Sequence, residues 1–306
     1  MSAALLTSLL QSTVTMAVPL LLAGLGELLA ERGGMINIGL EGLMLTGALA
    51  AMVVTYFTAA PLLGMLGAGI AGAALAALFG YVVVFRNGNQ VVVGTAINLL
   101  AVGMTGVGYR AVFGVTGAAL TVAGLPTIAI PLLASIPILG PLFHQSVLGY
   151  FAFALVPLLA FGISRTIPGL KLRMVGEDPR AAAAQGVAVR YTQTLALLAC
   201  GVLAALGGAY LSLVYARTFV EGLSAGRGFI ALAIVIFGRW SAWGILGAAL
   251  LFGLVTALQF QVQALGLTIP YQFPLMLPYL LTLVVLAGYA GATGAPKALG
   301  GPLEAD

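Results

Sequence analysis

Charge is what this sequence has least of. Only 7% of its 306 residues are Asp, Glu, Lys or Arg, against roughly 25% in an ordinary soluble domain. A water-soluble fold cannot lose most of its charge and keep a wettable surface. A chain solvated by lipid can, because lipid tails are as apolar as a leucine-rich core. The single cysteine, Cys200, rules out an internal disulfide framework. With only one histidine besides, His144, there is no ligand set for a Cys/His metal site. Cys200 lies in an apolar run and reads as a small packed side chain. His144 has no carboxylate or serine partner nearby and reads as a loop residue. No GxxxxGK[ST] phosphate loop occurs, so the chain has no P-loop route to ATP hydrolysis. Met1 to Gly26 contains neither Lys nor Arg, so the first apolar run reads as a retained span rather than a cleaved signal peptide. A net charge of +4 is too small to point to nucleic acid.

What is abundant is apolar surface and glycine. Hydrophobic residues make up 61% of the chain, with 42 glycines and a mean hydropathy of +1.14. A membrane-crossing helix needs about 20 apolar residues. Runs of suitable composition extend from Ala4 to Leu29, Leu40 to Thr58, Leu62 to Phe85, Val91 to Val115, Val147 to Ser164 and Thr192 to Tyr215. A short run covers Phe229 to Phe237, and two more cover Gly244 to Val262 and Phe273 to Tyr289. The expected fold is therefore all-α, a polytopic transmembrane bundle of about 8 to 10 spans. It is expected to form one domain over 1–306, with a cytoplasmic loop at 165–192.

Orientation follows from the basic residues. Arg165, Lys171, Arg173, Arg180 and Arg190 are five of the twelve, and the positive-inside rule puts their loop in the cytoplasm. Gly117 to Gln145 has no charge and carries Pro126, Pro131, Pro137 and Pro141, which suits an external or partly embedded excursion. Arg32 and Arg86 then fall inside and the N-terminus outside. Arg239 and Lys297 fall inside if Phe229 to Phe237 crosses; a re-entrant segment there would flip the C-terminus.

Three segments hold unusual polarity. In the first, Glu27-Leu-Leu-Ala-Glu31-Arg32-Gly33-Gly34-Met-Ile-Asn37-Ile-Gly-Leu-Glu41, two apolar runs leave almost no room for a polar loop. Its carboxylates and Asn37 therefore sit near membrane depth, where ionisable groups are costly and usually functional. Gly33-Gly34 breaks the helix, and irregular backbone at that depth is tolerated only when buried in protein or lining a watery cavity. Glu27, Asn37 and Glu41, with Asn98 on the fourth span as a polar neighbour, are the candidate translocation residues. The alternative is a tight interfacial turn, with Glu31 paired to Arg32 and Glu41 capping the next helix.

In the second segment, Gly176-Glu177-Asp178-Pro179-Arg-Ala-Ala182-Ala-Ala-Gln-Gly186, Asp178 suits an N-cap, Pro179 the first helical position and Gly186 a helix end. Such a short, small-faced helix has little apolar bulk of its own and looks made to dock into a partner. The third segment, Glu221-Gly222-Leu-Ser-Ala-Gly226-Arg227-Gly228, places Glu221 to pair with Arg227, and Gly222 with Gly226 at the spacing of close helix contacts. Arg32-Gly33 and Arg227-Gly228 both precede apolar, glycine-spaced runs, a hint of the internal repeats common in transporters. Gly67-Ala-Gly69-Ile-Ala-Gly72 matches a dinucleotide fingerprint in form only, since it lies inside an apolar span and reads as helix packing.

Together these segments resemble a known family. Glu31-Arg32-Gly33-Gly34-Met35-Ile36-Asn37-Ile38-Gly39-Leu40-Glu41-Gly42 is similar to the hallmark of permeases in the branched-chain amino acid, simple-sugar and nucleoside ABC importers. Gly176 to Pro179, Ala182 and Gly186 resemble that family's coupling-helix signature, which implies an ATPase-docking role for Gly176, Glu177, Asp178, Pro179, Ala182 and Gly186. Gly226 to Ala233, Ile236 to Trp240, Leu277 to Leu283 and Ala295 to Gly300 look like the nucleoside branch. The resemblance implies a bacterial inner-membrane importer that includes an extracytoplasmic substrate-binding lipoprotein. Its other partners would be a second permease subunit, of paralogous type, and cytoplasmic ATP-binding subunits. ATP and magnesium would bind those subunits, with no cofactor on this chain and no bond chemistry in it. The orientation puts Glu221 and Arg227 on the far side of the membrane, as candidate extracytoplasmic gating residues.

Two other readings compete. One is an importer of simple sugars or branched-chain amino acids. The other is an ion-coupled secondary transporter using Glu27 or Glu41, against which the alanine-rich docking helix argues. An intramembrane enzyme lacks a nucleophile, metal set or acid–base pair.

Overall fold

The structure, a computed structural model, describes residues 3–114, 121–131, 136, 140–264, 272–288 and 294–301. Its helices are α1 (Ala3–Arg32), α2 (Leu40–Thr58), α3 (Pro61–Gly80), α4 (Gln90–Phe113), α5 (Val147–Arg165), α6 (Ile167–Glu177), α7 (Pro179–Ala184), α8 (Val189–Tyr210), α9 (Arg227–Phe237), α10 (Ala242–Ala264) and α11 (Gln272–Gly288). Wider π-type turns, Tyr81–Phe85 and Leu211–Tyr215, extend α3 and α8. Among the described residues seven spans are long and apolar enough to cross a bilayer: Leu5–Arg32, Leu40–Thr58, Pro61–Phe85, Gln90–Phe113, Val147–Arg165, Val189–Tyr215 and Ala242–Gln263. The remaining two expected runs are shorter, α9 with 11 residues and α11 with 17.

The sequence reading needs two additions. Thr127–Ala129 (β1) pairs antiparallel with His144–Ser146 (β2), so His144 stands on a strand rather than in a loop. The Tyr150 hydroxyl donates to the Ile128 carbonyl (3.0 Å) and ties this hairpin to α5. The residues Val115 and Tyr289, and much of Gly117 to Gln145, lie outside the described residues. The second addition is α6, whose 11 residues lie within the expected loop at 165–192. Thr166 accepts from the Gly169 amide and Pro168 occupies the first turn, a standard helix start.

At the centre are α1 and α8. Of their span windows 89% and 72% of residues are buried, against 33% in α4 and 28% in α5. The centre is close-packed because glycines let backbones touch: a side chain at Gly208 would run into the Met44 carbonyl of α2, and one at Gly72 into Gly201 of α8. Exposed aliphatic residues on α3 and α4, such as Leu66, Ile70, Leu99 and Val107, form an apolar outer belt. Only a hydrocarbon solvent accepts such a belt without penalty.

Candidate translocation and coupling sites

The chain between α1 and α2 leaves helical geometry at Gly33, with Gly34 at φ +83°, and resumes at Leu40. Each freed backbone group needs a partner, because no water reaches a bilayer core. Neighbouring elements supply them. Gln90 Oε1 accepts from the Ile36 amide (2.6 Å), and Glu27 Oε1 accepts from the Asn37 amide (2.8 Å). Asn37 Oδ1 accepts from the Gly39 amide (3.0 Å). Asn98 works in both directions: Nδ2 donates to the Ile38 carbonyl (2.9 Å), and Oδ1 accepts from the Gly42 amide (2.8 Å). Asn98 is thus brought to the break as the sequence suggested, but its partners are backbone groups.

Glu27 and Asn37 are fully buried. The Cys200 thiol donates to Glu27 Oε2 (3.3 Å), and Asn37 Nδ2 lies 3.8 Å from Cys200 Sγ. The three side chains close a polar knot between α1, the break and α8. Cys200 is therefore more than packing, and Glu27 and Asn37 hold the break rather than face a passage in this conformation.

Glu41 differs. It is half-buried and caps a helix, though not its own. Oε1 accepts from the Ser224 hydroxyl (2.6 Å) and the Gly226 amide (2.8 Å), and Oε2 from the Gly228 amide (2.8 Å). These groups form the N-terminus of α9, where free amides and the helix dipole favour an anion. Gly228 permits the approach, since a side chain there would overlap the Glu41 backbone. An 11-residue helix is about 16 Å long, half of a roughly 30 Å hydrocarbon core. The far end of α9 meets the end of α1: Trp240 Nε1 donates to Glu31, and Arg32 donates to the Trp240 carbonyl (3.0 and 2.5 Å). Hence α9 starts about halfway through the bundle, and α2 starts beside it. Glu31 and Arg32 do not pair with each other as the interfacial-turn reading had it; both bind Trp240.

The expected Glu221–Arg227 pair is replaced. Glu221 Oε1 binds Arg110 (2.8 and 3.0 Å) in an exposed ion pair joining the end of α4 to the segment before α9. The Arg227 guanidinium donates to the Leu223 and Ser224 carbonyls (3.3 and 3.2 Å) and lies 5.9 Å from the centre of the Tyr215 ring. Gly222 and Gly226 are not a helix-contact pair either. Both have positive φ (+74° and +79°) and serve turns, where a side chain would be strained.

At the opposite end, Asp178 Oδ1 accepts from the Ala181 amide (3.0 Å), Pro179 opens α7, and Gly186 follows it at φ +78°. The caps read from the sequence are therefore present. Ala182, however, is buried against Val175 and Val187. The face left open is Ala181, Ala183 and Ala184. Glu177 ends α6 and is exposed. Gly176 is buried against the Arg32 carbonyl, too close for any side chain.

A connection absent from the sequence reading joins these parts. The Ala298 amide donates to the Gly176 carbonyl (2.9 Å), and the Gly300 amide to the Gly34 carbonyl (3.2 Å). Gln90 Nε2 donates to the Gly301 carbonyl (3.3 Å). Residues 298–301 thus tie the α6–α7 corner to the α1–α2 break and to the start of α4. Gln90 carried a weak signal, an amide opening an apolar run; Trp240 and Ala298 lie in segments that carry the family resemblance, but nothing local to them names their partners.

The chain matches, over residues 9–286, the protein family described as branched-chain amino acid transport system / permease component. It is 36% identical to the guanosine ABC transporter permease protein NupQ of Bacillus subtilis, over 97% of both chains. It is 36% identical to the nucleoside ABC transporter permease protein NupC of Lactococcus lactis, over 92% of both. It is 40% identical to a Haloferax volcanii ABC transporter permease named for glucose, over 87% of this chain and 81% of that one. Each organism also has a second matching permease named for the same substrate, at 30% identity in Bacillus subtilis, 33% over 36% of this chain in Lactococcus lactis, and 28% in Haloferax volcanii. No solved structure matches the chain. The half-length helix, the cap-bounded surface helix, seven apolar spans and a family match over nearly the whole sequence lead to one conclusion: the chain is a multi-pass membrane protein belonging to the ABC-importer permease family of branched-chain amino acid transport systems and their relatives.

Proposed function

We propose that this permease imports nucleosides, with Glu41 and the N-terminus of α9 beside the path. The observation that carries this reading is the meeting of α2 and α9 midway through the bundle on a half-buried carboxylate. Discontinuous helices whose ends meet near the midplane form the binding sites of many transporters. Neutral amides and amphoteric side chains near that point, such as Asn98 and Ser224, suit sugar hydroxyls and base edges. The relatives named for guanosine and nucleosides, each covering over nine-tenths of the chain, favour nucleosides. A sugar is the second reading, favoured by the 40% identity to the permease named for glucose.

The working unit is an importer with cytoplasmic ATP-binding subunits, where ATP and magnesium reside, and an external binding lipoprotein, in a bacterial inner membrane. The second permease is a paralogue, as suggested by the two permeases that each relative's organism carries. The loop holding α6 and α7 faces the cytoplasm, and Ala181, Ala183 and Ala184 dock the ATPase. Closure of the ATPase pair moves α7 and α6; residues 298–301 carry that movement to the break and to α4. Glu221 and Arg110 stand at the outer end.

The test is uptake of radiolabelled guanosine and glucose by cells expressing the complete importer, with impermeant labelling of cysteines placed in a Cys200→Ala background. Saturable guanosine uptake, and no external labelling at position 180, are expected. Uptake of glucose alone would replace the substrate assignment. External labelling at position 180 would reverse the orientation.

A further inference from the structure

Where α5 turns into α6, the bundle holds a groove of about 460 Å³ that neither break uses. Its floor is Leu29 of α1 and Ala196 and Ala199 of α8; its walls come from α5 and α6. The α5–α6 corner is tight because Gly169 abuts Gly162 and Ile163. Gly162 in turn leaves one wall open, with nothing within 4 Å of where its side chain would stand. The groove spans the last turns of α5 and the first turns of α6 and α8, so it sits where two spans leave the apolar belt. Leu158, Phe161, Ile167 and Leu195 around it are all exposed, a surface suited to hydrocarbon.

Its polar edge has one sign. Lys171 lines the groove and is exposed, and no carboxylate lines it. Tyr191, also exposed, adds a phenol at the same edge. The adjoining hollow shares Ala188 and Tyr191 and adds Arg190. Phenols and long cationic side chains concentrate at membrane–water boundaries, and basic pockets between spans on the cytoplasmic side attract acidic head groups.

We propose that this groove is a binding site for an anionic phospholipid, with one acyl chain along Leu29, Ala196 and Ala199 and the head group between Lys171 and Arg190. The proposal rests on the membrane placement of the bundle but not on the transported solute. Each cation near the surface contributes about 1 kcal/mol, or roughly fivefold in affinity. The lipid would stand beside α6, the element that leads into α7.

The test uses brominated lipids, which quench tryptophan on contact. A Leu195→Trp reporter in the groove and a Leu66→Trp reporter on the outer face of α3 are reconstituted within the assembled importer, with the parent protein as blank. Brominated phosphatidylglycerol is compared with brominated phosphatidylcholine at equal mole fraction. The expected result is a preference of roughly fivefold or more for phosphatidylglycerol at position 195 and none at 66, reduced about fivefold by Lys171→Gln. Equal quenching by the two lipids at 195, or a preference that survives Lys171→Gln with Arg190→Gln, overturns the proposal. Quenching at 66 with none at 195 overturns it too, by showing that a protein subunit covers the groove. Quenching at 66 by either lipid also verifies independently that the bundle sits in the bilayer.

Discussion

Glu27 and Glu41 do similar work in opposite surroundings. Each receives backbone amides at the interruption of a helix. Glu27 is fully buried, shares its second oxygen with the Cys200 thiol, and belongs to a break whose other groups are held by Asn37, Gln90 and Asn98. Glu41 is half-buried and reaches across to another helix. The segment it holds contains four residues with positive φ: Arg217, Gly222, Ala225 and Gly226. Three hydrogen bonds to one carboxylate and an exposed ion pair tie that segment to α2 and α4. The first break is anchored from several elements at once. The second gathers its cross-helix side-chain hydrogen bonds on Glu41, beside a buried Phe219 that packs on Leu45, Ala48 and Met52 of α2. On the proposed path beside Glu41, such a difference in anchoring would separate a fixed hinge from a movable gate.

The sharpest way to break the comparison is Gly228→Val. Its side chain would overlap the Glu41 backbone, and overpacking costs about 1–3 kcal/mol even where side chains can yield. The variant should lose more stability than any other discussed here, read as the drop in thermal midpoint of the purified permease; an unchanged midpoint would mean α2 and α9 do not touch.

Next comes the paired test of the two carboxylates. Glu41→Gln must turn an amide nitrogen toward a backbone donor, because both its oxygens accept. Glu27→Gln keeps Oε1 for Asn37 and can turn its amide toward Cys200, whose sulfur accepts as well as donates. Guanosine uptake should fall about tenfold or more in Glu41→Gln, the loss of roughly one charge-assisted hydrogen bond, and no more than about twofold in Glu27→Gln. Equal effects would remove the distinction between hinge and gate.

Asn37→Ala tests the anchored break directly. It strands the buried Gly39 amide and should destabilise the permease by about 1–3 kcal/mol, with uptake per folded molecule little changed. A loss of uptake at unchanged stability would return Asn37 to the translocation path.

The smallest expected effect is at the exposed pair. Arg110 and Glu221 are 60% and 53% exposed, so Glu221→Gln should cost less than about 1 kcal/mol in thermal stability. A larger effect, measured at low and high salt, would make this pair a true gate latch rather than a surface tie.

Much of this was legible in the sequence, for definite reasons. Spans announce themselves because lipid demands unbroken apolar runs, and the seven long ones among the described residues all begin and end within three residues of where composition puts them. The α7 caps were readable because Asp178, Pro179 and Gly186 act on backbone groups within four residues of themselves. Glu27, Asn37, Glu41 and Asn98 stood out as polar groups in apolar surroundings, and all four do serve the two breaks. Their partners were not readable. Glu41 lies 187 positions from Gly228, Glu31 lies 209 from Trp240, and Arg110 lies 111 from Glu221. Local spacing suggested Arg227 for Glu221, and the structure chose otherwise.

The sequence by itself determined that this chain lives in a membrane, where its helices lie, and where the backbone must leave helical geometry. Those properties follow from transfer free energies and short-range sterics, which each residue carries with it. Only the tertiary structure decided which side chains hold each break, which alanines of α7 remain open, and that residues 298–301 bind the α6–α7 corner to the α1–α2 break and to the start of α4. Those outcomes depend on which unsatisfied amide comes within about 3 Å of which oxygen. In a medium without water every such amide must find a partner, but nothing in the local sequence says which partner folding will bring.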